Sequence, residues 1–142
     1  PDPNVQKASL ISVPFFHATG CFAVMIPAVL AGSKLVMQRR WNADQALELI
    51  QRERITQAGG VPTIAWQIVE HPRFHEFDLS SLETVSYGGA PSAPELVRRL
   101  RERLPQTTLV SIGHRASLAR FHARRIEWRV KDGAAGELAA AR

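Results

Sequence analysis

The chain holds one cysteine, two methionines and one tyrosine among its 142 residues. With Cys21 alone no internal disulfide can form, so a reducing compartment and a cytoplasmic location are expected. No apolar run approaches the roughly 20 residues that cross a bilayer. The most apolar stretch, residues 21–30, is short and interrupted by Pro27. The chain opens on Pro1-Asp2-Pro3 without a basic and then apolar leader, and no signal peptide is expected. There is no GxGxxG fingerprint, no Walker loop, no GxSxG elbow and no convincing carboxylate pair. His71, His75, His114 and His122 show no metal spacing with cysteine or acid. They are read as surface residues, and neither a metal site nor a catalytic side chain is assigned.

What is present suits a folded domain: 45% hydrophobic and 22% charged residues. The net charge of +5 is unevenly spread. Residues 1–97 carry seven basic and nine acidic groups, whereas residues 98–142 carry eleven basic and four acidic ones. A basic tail can bind nucleic acid, but these arginines have no interleaved aromatics and no recognised reader module, so no nucleic-acid partner is expected.

Periodicity then gives the layout. Residues 10–16 (LISVPFF) suit a buried strand, residues 21–30 a buried helix closed by Gly32, and residues 34–37 a short strand. Asn42 caps the clearest helix, with Gln45 at the capping-box position and Glu48 and Arg52 at i,i+4 spacing. Residues 56–61 form the next strand, and Thr63 caps a helix that ends before Pro72. After a turn at residues 78–82 comes a strand over 83–87. A helix follows, capped by Ser92 with Glu95 completing its box, and Pro105 stops it. A last strand covers residues 107–112. Strands alternating with helices predict an α/β fold: a doubly wound, mostly parallel sheet with helices on both faces. Ligands of such sheets bind beyond the C-terminal strand ends. That rule selects residues 15–20, 59–63 and 87–92, and each of these segments contains glycine.

Gly88-Gly89-Ala90 directly follows a strand and precedes a helix N-terminus, where free N–H groups and the dipole favour an anion. The same pair also suits an ordinary tight turn. His17, beside Phe15 and Phe16, is either a ligand-orienting group or a packed, hydrogen-bonded histidine. Cys21 is read as a buried, inert thiol.

Three segments in order carry a family resemblance. Pro14-Phe15-Phe16-His17 resembles a motif of adenylate-forming enzymes, among them acyl-CoA synthetases and luciferases. Gly60-Val61-Pro62-Thr63 resembles their GVPT turn. Asp78-Leu79-Ser80-Ser81-Leu82, followed by Tyr87-Gly88-Gly89-Ala90-Pro91, resembles their DLSSL and GGAP segments. The likeness runs from about Leu10 to Val110 and is strongest toward fatty- and aryl-acid CoA ligases.

It implies a part of the N-terminal domain of an enzyme that activates a carboxylic acid, most readily a fatty acid, with ATP and Mg2+ to an acyl-adenylate. That enzyme then passes the acyl group to coenzyme A. It further implies that His17, Val61, Pro62, Tyr87 and Gly88 border the acid, and that Gly89, Ala90 and Pro91 hold adenine.

Departures accompany the likeness. The family's phosphate loop ending in Pro-Lys and the catalytic lysine of its C-terminal domain are not among the 142 residues. Where a Tyr-Gly-x-Thr-Glu block is expected the chain reads Ile112-Gly113-His114-Arg115-Ala116-Ser117. The Ala/Arg-rich run beyond is either an out-of-frame translation or a deletion, since residues 126–133 faintly resemble a later strand and turn of the family. The expected division is therefore an acyl- and adenine-binding subdomain over 1–112 and a divergent, less ordered basic tail over 113–142. Two functional readings stay open: a ligase fragment that is inactive alone, or a non-catalytic nucleotide- or acyl-binding module. Apolar faces left open by absent flanks are expected to favour self-association.

Overall fold

Asn42 stands in extended backbone (φ −146°, ψ 122°), and its side-chain oxygen accepts from the Gln45 amide at 2.8 Å, the cap that the sequence predicts. The computed structural model describes residues 6–113, 116–129 and 137–140. Within them β1 (Ala8–Ile11), β2 (Lys34–Met37), β3 (Gln57–Gly60), β4 (Thr84–Tyr87) and β5 (Thr108–Ser111) form one parallel sheet in the order β2-β1-β3-β4-β5. The helices are α1 (Ile26–Leu30), α2 (Ala43–Glu53), α3 (Pro62–Val69), α4 (Pro94–Arg103) and a short α5 (Ala116–Ala119). Beyond them β6 (Ile126–Arg129) pairs antiparallel with β7 (Glu137–Ala140).

The strand order fixes the layering. A crossover from β1 to β2 runs one way along the sheet, and every later crossover runs the other way. Because such crossovers are right-handed, α1 lies on one face and α2, α3 and α4 on the other. Burial agrees. Ala8, Leu10, Ala58, Val85 and Tyr87 point to the three-helix face and join one core with Leu47, Ile50, Ile64, Ile68, Leu96 and Leu100. Ile11 and Ala28 are buried outside that cluster, beneath the first helix. Among the described residues the second face is covered only at β1 and β2. Helices therefore flank both faces as expected, but unequally.

Several local expectations shift. The helix over residues 21–30 is a π-helix (Thr19–Met25) running into α1, with the Ile26 amide donating to the Cys21 carbonyl. Pro27 supplies the reason. Its ring would crowd the carbonyl four residues back in a continuous α-helix, and the wider spacing relieves this. The cap of α3 is Val61, with Pro62 as first helical residue, so Thr63 lies inside the helix, exposed. Arg52 pairs with the adjacent Glu53 at 2.9 Å instead of with Glu48.

The turn at residues 78–82 is tightly built. Asp78 accepts from the Ser80 amide at 2.9 Å and from Arg54 at 2.8 Å, while Ser81 donates to the Ile55 carbonyl at 2.8 Å. Leu79 and Leu82 are buried beneath it. Arg54 itself adopts the left-handed conformation (φ 50°) that ends α2. In the tail, Leu118 is buried in the main core and Phe121 packs against it.

Leu47 is fully buried, and Leu47→Ala is expected to destabilise the fold by about 2–5 kcal/mol. Asn42→Ala should cost about 0.5–2 kcal/mol, as loss of an N-cap does. Urea midpoints check both, and a larger effect at Asn42 than at Leu47 would contradict the core assignment. The Asp78 carboxyl is held below the usual carboxylate range, first by its hydrogen bonds to Ser80 and then by Arg54. A depressed carboxylate contributes stability above its unfolded value and loses it as pH falls through the folded one. The melting-temperature difference between wild type and Asp78→Asn should thus be full at neutral pH and vanish under strongly acid conditions.

Candidate functional site at the strand ends

The reversal of crossover direction between β1 and β3 leaves a split at their C-terminal ends, where doubly wound sheets bind ligands. The split is visible in the pairing. β1 and β3 share one register pair, Ser9 with Gln57, whereas β3 and β4 share four. Past Ser9 the two strands are joined by a side chain: the Ser12 hydroxyl donates to the Gly59 carbonyl.

On the β3 side the chain needs small residues. A Cβ at Gly59 would collide with the Ser86 carbonyl and its side-chain oxygen. Gly60 takes φ +147°, and a Cβ there would meet Ser12 Oγ at 2.8 Å and Ile64 Cδ1 at 3.1 Å. This bend delivers Val61, half-buried, and Pro62, buried, to the start of α3.

At the end of β4 the Tyr87 ring is buried at 2% exposure in the helix-side core, and its hydroxyl accepts from Ser111 Oγ at 2.8 Å. Tyr87 therefore presents backbone, not its ring, at the strand end. The Gly88 amide donates to the Gly60 carbonyl at 3.0 Å, and the Ile112 amide donates to the Tyr87 carbonyl at 2.9 Å. Gly89 follows at φ +77°, with nothing within 4 Å of the position of a Cβ. Gly89, Ala90 and Pro91 are all exposed. The expected Ser92–Glu95 capping box does not form. Helix α4 starts at Pro94 with Ala93 as cap, which places Ser92 too early. Ser92 Oγ donates instead to the Ala93 carbonyl at 3.4 Å, and Glu95 pairs with Arg98 and Arg99.

On the β1 side, Pro14 to His17 form a turn in which the His17 amide donates to the Pro14 carbonyl at 3.1 Å. The imidazole is exposed, and its Nδ1 accepts from the Thr19 amide at 3.2 Å. Gly20 is buried where a Cβ would strike the Pro14 carbonyl. Phe16 stands 93% exposed.

The structure thus brings Gly60, Val61, Tyr87, Gly88 and Ile112 into one row of backbone groups, with Gly89 to Pro91 just outside it. His17 lies across the split, bonded within its own turn. Sequence reading missed Ser12, and its only signal is a hydroxyl inside an otherwise apolar run. Among the described residues no group of three His, Cys, Asp or Glu could hold a metal. The acids held below their usual range lie elsewhere: Glu53 by its bond from Arg52, Glu95 by its bond from Arg98, and Asp78 as above. Two surface hollows also lie elsewhere, one of them about 390 Å3 between Trp41, Trp66, His71 and Pro72. The row therefore offers amides, carbonyls and apolar surface to a ligand, and no acid–base pair.

Sheet order, split and glycine row define a doubly wound α/β segment with an opening at its strand ends. The family described as "AMP-binding enzyme" matches residues 2–113, and the chain belongs to that family of adenylate-forming acyl-CoA ligases. A feruloyl-CoA synthase from Amycolatopsis sp is 36% identical over 98 residues, 69% of this chain and 20% of the relative. 4-Coumarate–CoA ligase 3 from Arabidopsis thaliana is 34% identical over 112 residues, 76% of this chain and 20% of the relative. The chain spans about one fifth of the length of these relatives. The N-terminal domain of FACL13 from Mycobacterium tuberculosis superposes with TM-score 0.67 at 25% identity, over 78% of this chain and 28% of that one. The amide bond synthetase McbA from Marinactinospora thermotolerans gives 0.65 at 26%, over 94% and 32%.

The two positive-φ glycines at the strand ends, Gly60 and Gly89, should respond differently to alanine. Gly89→Ala carries only the backbone strain of a left-handed residue, about 1–2 kcal/mol. Gly60→Ala carries strain and must also displace Ser12 Oγ, so its loss of stability should be the greater. Urea unfolding of the two variants ranks them, and equal losses would show that the space beside Gly60 is not tight.

Proposed function

We propose that this chain is the acid- and adenine-holding part of an ATP-dependent acid–CoA ligase. The observation that supports this most is the backbone row at the split, Gly60 with Gly88 and then Gly89 in open space. Such a row lets a flat purine and a carboxylate approach the main chain without meeting side chains. In this reading Gly89, Ala90 and Pro91 hold adenine, and Val61, Pro62, Gly88 and the main chain of Tyr87 border the acid. His17 faces the acid and the incoming thiol from the β1 side. Residues 1–112 form the binding subdomain, residues 113–142 a divergent tail, and the protein works in the cytoplasm.

The reaction joins a carboxylate oxygen to the α-phosphorus of ATP with loss of pyrophosphate. The thiol of coenzyme A then displaces AMP from the acyl carbon. Nothing described in the row neutralises the triphosphate, which is the main electrostatic demand of such a step. Among the described residues no group of three His, Cys, Asp or Glu stands ready for Mg2+, an ion held in such reactions largely by the phosphates themselves. Relatives named as a feruloyl-CoA synthase and a 4-coumarate–CoA ligase favour an aryl-substituted acid over a simple fatty acid. The second reading, a binding module without chemistry, draws on the row's offering main chain and apolar surface to a ligand.

The isolated chain should release no pyrophosphate with ATP, Mg2+ and a panel of aromatic and fatty acids, and release there would overturn the inactive-fragment reading. Phe16, Phe22, Leu30 and Met37 are exposed, and the isolated chain should self-associate through this apolar surface. In a full-length parent, Gly89→Val should raise the Michaelis constant for ATP roughly tenfold, about 1.4 kcal/mol, and leave that for the acid nearly unchanged. His17→Ala should chiefly slow acyl and thioester steps. Both variants must first be shown to be folded. A parent that binds ATP and acid but forms no adenylate would establish the binding-module reading instead.

A further inference from the structure

We propose that Ser12 is a positioning residue that sets the distance between the two halves of the strand-end site. The proposal rests on the ligase reading above, because it concerns the steps that need both halves at once.

Hydrogen bonding between β1 and β3 stops early. The ladder has a single register pair, Ser9 with Gln57, reinforced at its base by Thr56, whose hydroxyl donates to the Ala8 carbonyl at 3.1 Å and accepts from the Ala8 amide at 3.0 Å. Beyond that base the Ser12 side chain bridges the split to the Gly59 carbonyl. The neighbouring Gly60 then carries the link onward, because its carbonyl accepts from the Gly88 amide at 3.0 Å. One hydroxyl thus connects the Pro14–His17 turn, two residues downstream of it, to the glycine row of β3 and β4.

The space around that hydroxyl is filled. A Cβ at Gly60 would lie 2.8 Å from Ser12 Oγ, 3.1 Å from Ile64 Cδ1 and 3.5 Å from Val13 Cγ1. The serine is half-buried and small enough to fit, and its bond gives the Gly59 carbonyl a partner at the point where the ladder no longer does. Removing the hydroxyl leaves the sheet base and the helix-side core untouched. It frees the β1 turn to move relative to the row, and misplacement of about 1 Å between reacting groups can slow a reaction by roughly a hundredfold.

The row borders both adenine and the acid, while the β1 half brings His17 to the acyl group, so the loss should appear where His17 and the row must act together. In the full-length parent, Ser12→Ala should lower the rate of acyl transfer to coenzyme A at least tenfold and lower acid-dependent ATP–pyrophosphate exchange much less. The separate dissociation constants for ATP and for the acid should change less than twofold. The melting temperature of the variant reports any general loss of folding, which would weaken both dissociation constants together. An active wild type whose rate of acyl transfer to coenzyme A is unaltered by Ser12→Ala overturns this proposal alone, and so does an equal loss in the exchange rate. A wild-type parent without exchange overturns the ligase reading and this proposal with it.

Discussion

The right-handedness of β-to-β crossovers organises the described molecule. It obliges the connection from β1 to β2 to lie on one face and the later connections to lie on the other. The reversal falls between β1 and β3, and there the strands part after one register pair. The consequences follow in sequence: a split opens, Gly59 and Gly60 must be small to let Ser86 and Ser12 approach, and a serine hydroxyl closes the ladder that the backbone no longer closes. The three-helix side needs none of these devices. Its core is continuous from Ala8 to Leu118.

Much of this was legible in the sequence because the relevant signals are local. Periodic apolar residues placed α2 and α4, and Asn42 with Gln45 marked one helix start to the residue. The bounds of β2 were also read correctly, since the three apolar residues after Lys34, set between Gly32 and Arg39, admit little else. What failed depended on geometry beyond the local pattern. Ser92 looked like a cap because serine followed three residues later by glutamate usually is one. Pro94, by starting the helix itself, moved the start past it. Thr63 was displaced in the same way by Pro62. The π-helix was not predicted, because the crowding by Pro27 is relieved in three dimensions and leaves no mark in hydrophobic spacing.

The site was legible in a different sense. Its glycines and its three segments were named from the sequence, yet which atoms of each face the split was not. Tyr87 shows the distinction. An aromatic residue at a strand end invites a role for its ring, but alternation along β4 sends Val85 and Tyr87 to the same face, toward the helices. Only main chain is left at the opening. Ser12 lies at the opposite extreme: a polar residue in an apolar run, with no motif of its own, whose partner is 47 positions away in sequence.

The uneven covering of the two sheet faces bears on what the chain can be by itself. The three-helix face is sealed, while the other is covered only over β1 and β2 by the π-helix and α1, whose outer side exposes Phe22, Val29 and Leu30. Strands β3 to β5 present Gln57, Gly59, Thr84, Ser86 and Thr108 on the open side, which water tolerates, with Val110 as the apolar exception. The open sheet surface is thus mainly polar, and the strongest apolar exposure gathers on the first helix. Apolar area of that kind is stable in water only at a cost of about 25 cal/mol for each Å2 left uncovered. A chain spanning one fifth of its relatives would be expected to carry such a surface where the remainder of a larger domain would pack. The helix that bears it begins two residues after His17, so the same unit that carries the apolar surface also forms one wall of the split. Covering that surface would steady the wall as well, which ties completion of the fold to completion of the site.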